Sequence, residues 1–131
     1  MKGRPMDPQV EQLLLAAEDD RATIQLAVPV RVLGFHAQQA VEKSLKALIA
    51  SHGSTFAWTH ELESLEVELT ALGETLPVVP FPLLSLQPYA VAFRYSAAPV
   101  LLPSDRDDIR RTVEVILAHV KGRIAALNPK P

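Results

Sequence analysis

The sequence contains no cysteine, and this absence excludes several kinds of chemistry. Without a thiol the chain has no disulfide, no thiolate metal site and no thiol nucleophile. It has only 5 glycines, which are dispersed, so no glycine-rich loop cradles a phosphate. It also lacks the run of about 18 apolar residues that a bilayer-spanning helix needs. We therefore expect a soluble, cytoplasmic protein that has no membrane role.

An excess of charge of one sign is also missing, because 13 lysine and arginine residues are balanced by 15 acidic ones. The net charge of -2 argues against a protein that coats nucleic acid, since that mode needs many uncompensated cations. The four histidines are scattered, so the sequence predicts no metal site and no cofactor. The length and composition are those of one globular domain, residues 1–131.

The chain is rich in helical periodicity. Apolar residues recur at three- and four-residue steps, and no segment alternates as a strand would. The sequence therefore predicts an all-α fold, a four- to five-helix antiparallel up-and-down bundle. The expected helices run from the Asp7 cap to residue 28, from Val30 to Ser51, from the Thr59 cap to Gly73, from near Pro82 with a kink at Pro88, and from Ser104 to the tail.

The second predicted helix has two different sides. One side is apolar, and the other carries an ordered row made of Phe35, Gln39, Glu42 and Lys46. Three interpretations fit this row. It is a ligand surface, or an ordinary surface salt bridge between Glu42 and Lys46. In the third interpretation it is a dimer seam, with Gln39 and Glu42 paired across a two-fold axis.

The ligand interpretation follows from the chemistry of the row and of residues expected near it. Lysine and arginine bind phosphate, amides and carboxylates offer hydrogen bonds, and aromatic rings stack on bases. The sequence thus predicts a nucleotide or phosphate site formed by Phe35, Gln39, Glu42, Lys43, Lys46, Arg94 and Tyr95.

The same helix carries a family resemblance. Residues 35–48, FHAQQAVEKSLKAL, resemble the signature of the HEPN domain family, the nucleotide-binding domains of higher eukaryotes and prokaryotes. The segment Thr59-His60-Glu61-Leu62 is similar to the short histidine motif of that family. Arg94-Tyr95 is similar to its arginine-tyrosine pair, which precedes the last helix. The resemblance covers about residues 9–125, which is the expected core of the domain.

The resemblance implies a helical bundle of four or five helices that is frequently dimeric. Many such domains are encoded beside a minimal nucleotidyltransferase, with which they form a toxin and antitoxin pair, and several are metal-independent ribonucleases. The ribonuclease branch uses an arginine followed after four to six residues by a histidine. This chain departs from that pattern, because residues 95–100 contain no histidine.

Arg31 and His36 have the required spacing, but they lie at the start of the second helix rather than late in the chain. Five residues of a regular helix rotate by about 140°, so their side chains diverge. We therefore interpret this match as a coincidence.

Three functions are compatible with the sequence. The first is a HEPN-like subunit that binds nucleotide or RNA and partners a separately encoded minimal nucleotidyltransferase. The second is a metal-independent ribonuclease toxin, with Arg94, Tyr95 and His60 as the expected catalytic participants. The third is a homodimeric helical interaction protein without a nucleotide role. The missing histidine favours the first, in which the chain is not catalytic by itself.

Overall fold

A computed structural model describes residues 7–56, 58–90 and 103–128. It confirms the all-α prediction: these residues form helices joined by loops and contain no strand. The elements are helix α1 (Pro8–Thr23), helix α2 (Val30–Ser51), helix α3 (Leu62–Ala71), a 3₁₀ helix (Leu83–Ala90) and helix α4 (Pro103–Leu127). No helix within these ranges is both long and apolar enough to span a membrane.

Helix α1 begins where the sequence predicts and ends earlier. The carboxylate of Asp7 accepts a hydrogen bond from the backbone N–H of Gln9 at 2.7 Å, as an N-cap does. The helix ends at Thr23, so the prediction of helix to residue 28 was wrong. The reason lies on α4, where the Arg110 side chain donates to the carbonyl of Ile24 at 2.6 Å. Because the Arg110 side chain satisfies the Ile24 carbonyl, that carbonyl needs no N–H from a further helical turn.

Helix α2 forms the centre of the bundle and has the bounds that were predicted. It packs against α1, α3, the 3₁₀ helix and α4. Apolar side chains of α2 that face these four elements are therefore removed from water, and the core continues into the buried stripes of α3 and α4. The buried apolar residues of α2 are Leu33, Ala37, Ala40, Val41, Leu45, Ala47, Leu48 and Ile49.

Helix α4 runs antiparallel to α1. Arg21 of α1 donates to Glu114 of α4 at 3.0 Å, and Glu18, one turn earlier, contacts Lys121, two turns later. The residue numbers of the paired positions fall along α1 as they rise along α4, which shows that the two helices are antiparallel. Arg21 thus links α1 to α4.

The loop of residues 52–61 makes the return path between α2 and α3. His60, at the end of the loop, lies 3.0 Å from Glu42 in the middle of α2. Glu74, which follows α3, lies 2.8 Å from His52 at the end of α2. Helix α3 therefore runs in the same direction as α2. The chain returns from the end of α2 to the start of α3 through an extended loop rather than through a helix.

Glu74 is also the point where α4 is attached. Arg123 donates to both of its carboxylate oxygens, at 2.9 and 3.0 Å. These hydrogen bonds hold the pKa of Glu74 below its ordinary value. Because the folded-state pKa is lowered, this contribution to stability is present above the unfolded pKa and is lost as the pH falls through the folded one.

Two other boundaries differ from the sequence prediction. Helix α3 begins at Leu62, so Thr59 is not its cap. Its first N–H is bound instead by the side chain of Gln87, at 2.8 Å, from the 3₁₀ helix. Pro88 lies inside the fourth element, which is a 3₁₀ helix rather than a kinked α-helix.

The 3₁₀ helix approaches α2 most closely at Gly34. The ring of the fully buried Tyr89 lies where a side chain at position 34 would be, so a Cβ there would overlap its carbon atoms. Glycine is thus required at position 34 because of this close contact with Tyr89, and not because of its backbone dihedral angles.

We expect Gly34→Ala to lower the free energy of unfolding by about 1–3 kcal/mol, because Tyr89 has to leave its packed position. Urea denaturation followed by circular dichroism measures this change. Gly122→Ala is the matched control, since nothing lies within 4 Å of its added Cβ. Replacing that helical glycine by alanine should raise the free energy of unfolding by about 0.5–1 kcal/mol. Equal losses in the two variants would contradict the packing argument.

Candidate functional site

Only part of the surface of α2 faces solvent. Most of the helix is buried, and its exposed or half-buried polar and aromatic residues follow one another along one edge. This edge, called here the α2 strip, consists of Arg31, Phe35, His36, Gln39 and Lys43. It contains cations, an amide and an aromatic ring, but no carboxylate.

Glu42 and Lys46 were predicted to belong to the exposed row, and the structure places both inside the bundle. Only 3% of Glu42 and 8% of Lys46 remain exposed. Their side chains do pair, with Lys46 Nζ 3.1 Å from Glu42 Oε2. The pair is therefore real but buried, and its interpretation as an ordinary surface salt bridge was wrong.

Glu42 also receives two further contacts. Gln38 Nε2 donates to its Oε1 at 3.1 Å, and His60 Nδ1 lies 3.0 Å from the same oxygen. Lys46 Nζ lies 5.4 Å from the centroid of the Phe56 ring, which adds a cation–π contact. A buried carboxylate is costly unless it is paired and hydrogen-bonded, and here both conditions are met.

His60 is the exposed end of this network. Its side chain is 74% exposed, although its Nδ1 is held by Glu42. Its backbone carbonyl accepts hydrogen bonds from Gln38 Nε2 at 3.1 Å and from Gln87 Nε2 at 3.0 Å. His60 was predicted in the first turn of α3, and it lies instead in the loop just before that helix.

A second carboxylate, Asp20 of α1, lies beneath the α2 strip. Its Oδ1 is 2.7 Å from His36 Nδ1, and its Oδ2 accepts from Lys43 Nζ at 2.6 Å. Asp20 is not among the residues predicted from the sequence, although a signal was present. Asp20 lies three residues after the buried Ala17 and four before the buried Ile24, so it falls on the apolar face of α1, where an acid is unexpected.

These contacts separate the two predicted phosphate-binding lysines. Lys46 is enclosed by Glu42 and Phe56, whereas the Lys43 side chain is 27% exposed. Lys43 pairs with Asp20 through one of its three N–H donors, so donors remain for a ligand. Lys43 is thus the lysine that the geometry favours for contact with phosphate.

The remaining predicted site residues have different outcomes. Phe35 and Gln39 lie on the α2 strip, with the Phe35 and His36 rings edge to face at 5.3 Å. Arg94 and Tyr95 lie outside the described residues. Arg31 and His36 both belong to the continuous helix α2. Among the residues that the structure describes, no group of three or more histidine and acidic side chains could hold a metal ion.

The fold and site together define an all-α helical bundle with a polar, aromatic edge on its central helix. The family model for the HEPN domain matches residues 10–123 of the 131-residue chain. The chain therefore belongs to the HEPN domain family, as the resemblance of residues 35–48 predicted. This membership supports a nucleotide- or RNA-related role in general. No curated protein and no solved structure matches the chain.

We expect Glu42→Ala to lower the free energy of unfolding by about 3–5 kcal/mol, because it leaves Lys46 buried without its counterion. Glu42→Gln keeps hydrogen-bonding capacity and should cost less. Denaturant unfolding of the purified variants measures both.

Asp107→Ala is the matched control. Asp107 pairs with Arg110 at 3.3 Å in a similar helical geometry, but its side chain is 83% exposed. Its loss should change stability by less than about 1 kcal/mol. If Glu42→Ala lowered the free energy of unfolding as little as Asp107→Ala, the buried network around Glu42 would not be what holds the loop before α3.

Proposed function

We propose that this protein binds nucleotide or RNA along the α2 strip. The observation that carries the proposal is the composition of that strip: the exposed edge of the central helix offers cations, an amide and an aromatic ring without a carboxylate. Lys43 and Arg31 supply N–H donors suited to phosphate. Gln39 can donate to and accept from a base or ribose, and Phe35 provides an aromatic surface for stacking.

Asp20 positions this surface from below. It contacts Lys43 and His36 with different oxygens, so a single carboxylate fixes two groups of the strip. The Asp20 carboxylate also partly neutralises the positive charge of Lys43. We therefore expect moderate affinity that declines with salt, rather than the tight binding of an uncompensated basic surface.

We further propose that the protein acts as the helical subunit beside a separately encoded minimal nucleotidyltransferase, in a toxin-antitoxin type pair. The family membership supports this role, and so does the absence of the Arg-to-His spacing after Arg94. Homodimerisation belongs to the same proposal.

Co-expression with a nucleotidyltransferase from a neighbouring reading frame tests the partnership. We expect the tagged subunit to retain the untagged one through gel filtration at moderate salt, and light scattering of the complex to give a dimer of the helical subunit. Separate elution of the two proteins would argue against the pairing.

Binding of a labelled single-stranded RNA, followed by fluorescence anisotropy in the presence of chelator, tests the α2 strip. We expect Lys43→Ala to weaken binding about tenfold, since a hydrogen bond to a charged group contributes about 1.5 kcal/mol. The slope of log affinity against log salt should fall by about one. Gln39→Glu, which puts a carboxylate on the strip, should weaken binding at least as much.

Arg111→Ala is the charge-matched control, because Arg111 is an exposed cation on α4 outside the strip. It should bind RNA as the unchanged protein does. Equal losses for Arg111→Ala and Lys43→Ala would mean non-specific attraction. Cleavage of the RNA in chelator, abolished by Arg94→Ala, would favour the metal-independent ribonuclease instead.

A further inference from the structure

Trp58 and His60, two residues apart, are both exposed in the loop before α3. Trp58 is 99% exposed, and the His60 side chain is 74% exposed. A fully exposed indole leaves both faces of its ring available for stacking. This pair lies outside the α2 strip and has no part in the function proposed above.

The structure fixes His60 far more firmly than an exposed side chain requires. Its Nδ1 is held by the buried Glu42, and its carbonyl accepts from both Gln38 and Gln87. The next N–H, that of Glu61, donates to Thr59 Oγ1 at 3.0 Å. Contact through Nδ1 leaves Nε2 as the ring nitrogen that this network does not use. Buried polar groups thus orient a histidine toward solvent, which is how a binding group is preorganised.

The pair is joined to the α2 strip by hydrogen bonds. Gln39 of the strip donates to Gln38 Oε1 at 2.7 Å, and Gln38 Nε2 donates to the His60 carbonyl at 3.1 Å. A ligand bound at Gln39 therefore lies close to His60.

The charges near the pair identify which part of a ligand fits there. Residues 47–93 contain no lysine or arginine, Lys46 is buried against Glu42, and Glu61 and Glu63 are exposed next to His60. Phosphate is repelled by such a surface, whereas a neutral base with amino groups and ribose hydroxyls is not. Phosphate is therefore better matched to Lys43, and a neutral base is better matched to the loop of Trp58.

We infer that Trp58 and His60 form a nucleobase subsite. An unpaired base stacks on the Trp58 ring, and His60 Nε2 hydrogen-bonds the base edge or the ribose. This inference rests on the proposed binding at the α2 strip and extends it from phosphate to base. The same chemistry is offered by a single-stranded RNA and by a free mononucleotide.

The chain contains one tryptophan, so its intrinsic fluorescence reports on Trp58 alone. Oligoadenylate RNA and AMP are titrated separately, in chelator, while emission is recorded. We expect quenching that saturates with the ligand, because stacking places a base against the indole. Quenching by the RNA identifies a polynucleotide ligand, and quenching by AMP alone identifies a free nucleotide. No saturable change with either ligand would overturn the inference.

Variants separate this inference from the proposed function. By anisotropy, Trp58→Ala should weaken binding of the quenching ligand about tenfold, as loss of one stacked base predicts. His60→Gln should weaken it about fivefold while Trp58 still responds. Val78→Ala, at a residue 97% exposed, should have no effect.

If RNA binds and Lys43→Ala weakens it, but Trp58→Ala binds normally, the base subsite fails and the α2 strip stands. If Lys43→Ala also binds normally, the proposed function itself fails. Circular dichroism of Trp58→Ala should match the unchanged protein, because this side chain is 99% exposed.

Discussion

The carboxylate of Glu42, buried on the central helix, is the group around which the rest of the site is arranged. Burial of such a group is stable only when each oxygen has a partner. Lys46 and Gln38 come from the same helix, and His60 comes from the loop before α3. Because the third partner arrives from another segment, the Glu42 carboxylate also decides where the loop of residues 52–61 crosses α2.

The same arrangement occurs at two other carboxylates. Asp20 contacts Lys43 and His36, and Glu74 contacts Arg123 and His52. Each nearly buried acid has one permanent cation and one histidine, and each joins different elements of the bundle. Breaking such a group is costly, whereas its net contribution over an apolar replacement is small. The three groups therefore act mainly by fixing how the helices dock.

This arrangement also determines which side chains remain for a ligand. Lys46 is enclosed by its partners, while Lys43 and His36 are fixed by Asp20 at the edge of α2. His60 is carried to the surface by Glu42, Gln38 and Gln87. The candidate site thus consists of groups that buried carboxylates and amides hold in place, which lowers the ordering cost of binding.

The sequence by itself determined the helical class, the bounds of α2 and the family, because these depend on local periodicity and on a continuous string of residues. The site residues predicted from the sequence also included Phe35, Gln39 and Lys43 of the α2 strip. It could not determine that Glu42 and Lys46 are buried, since the same spacing of four residues suits a surface pair equally well.

Only the tertiary structure decided the end of α1, the cap of α3 and the role of Asp20. Each depends on a side chain distant in sequence: Arg110 at the Ile24 carbonyl, Gln87 at the Leu62 N–H, and Lys43 at the Asp20 carboxylate. Helix ends leave backbone groups that a distant side chain can bind as well as a local one. Periodicity along the chain records which face is apolar, but not which polar groups meet when the faces pack.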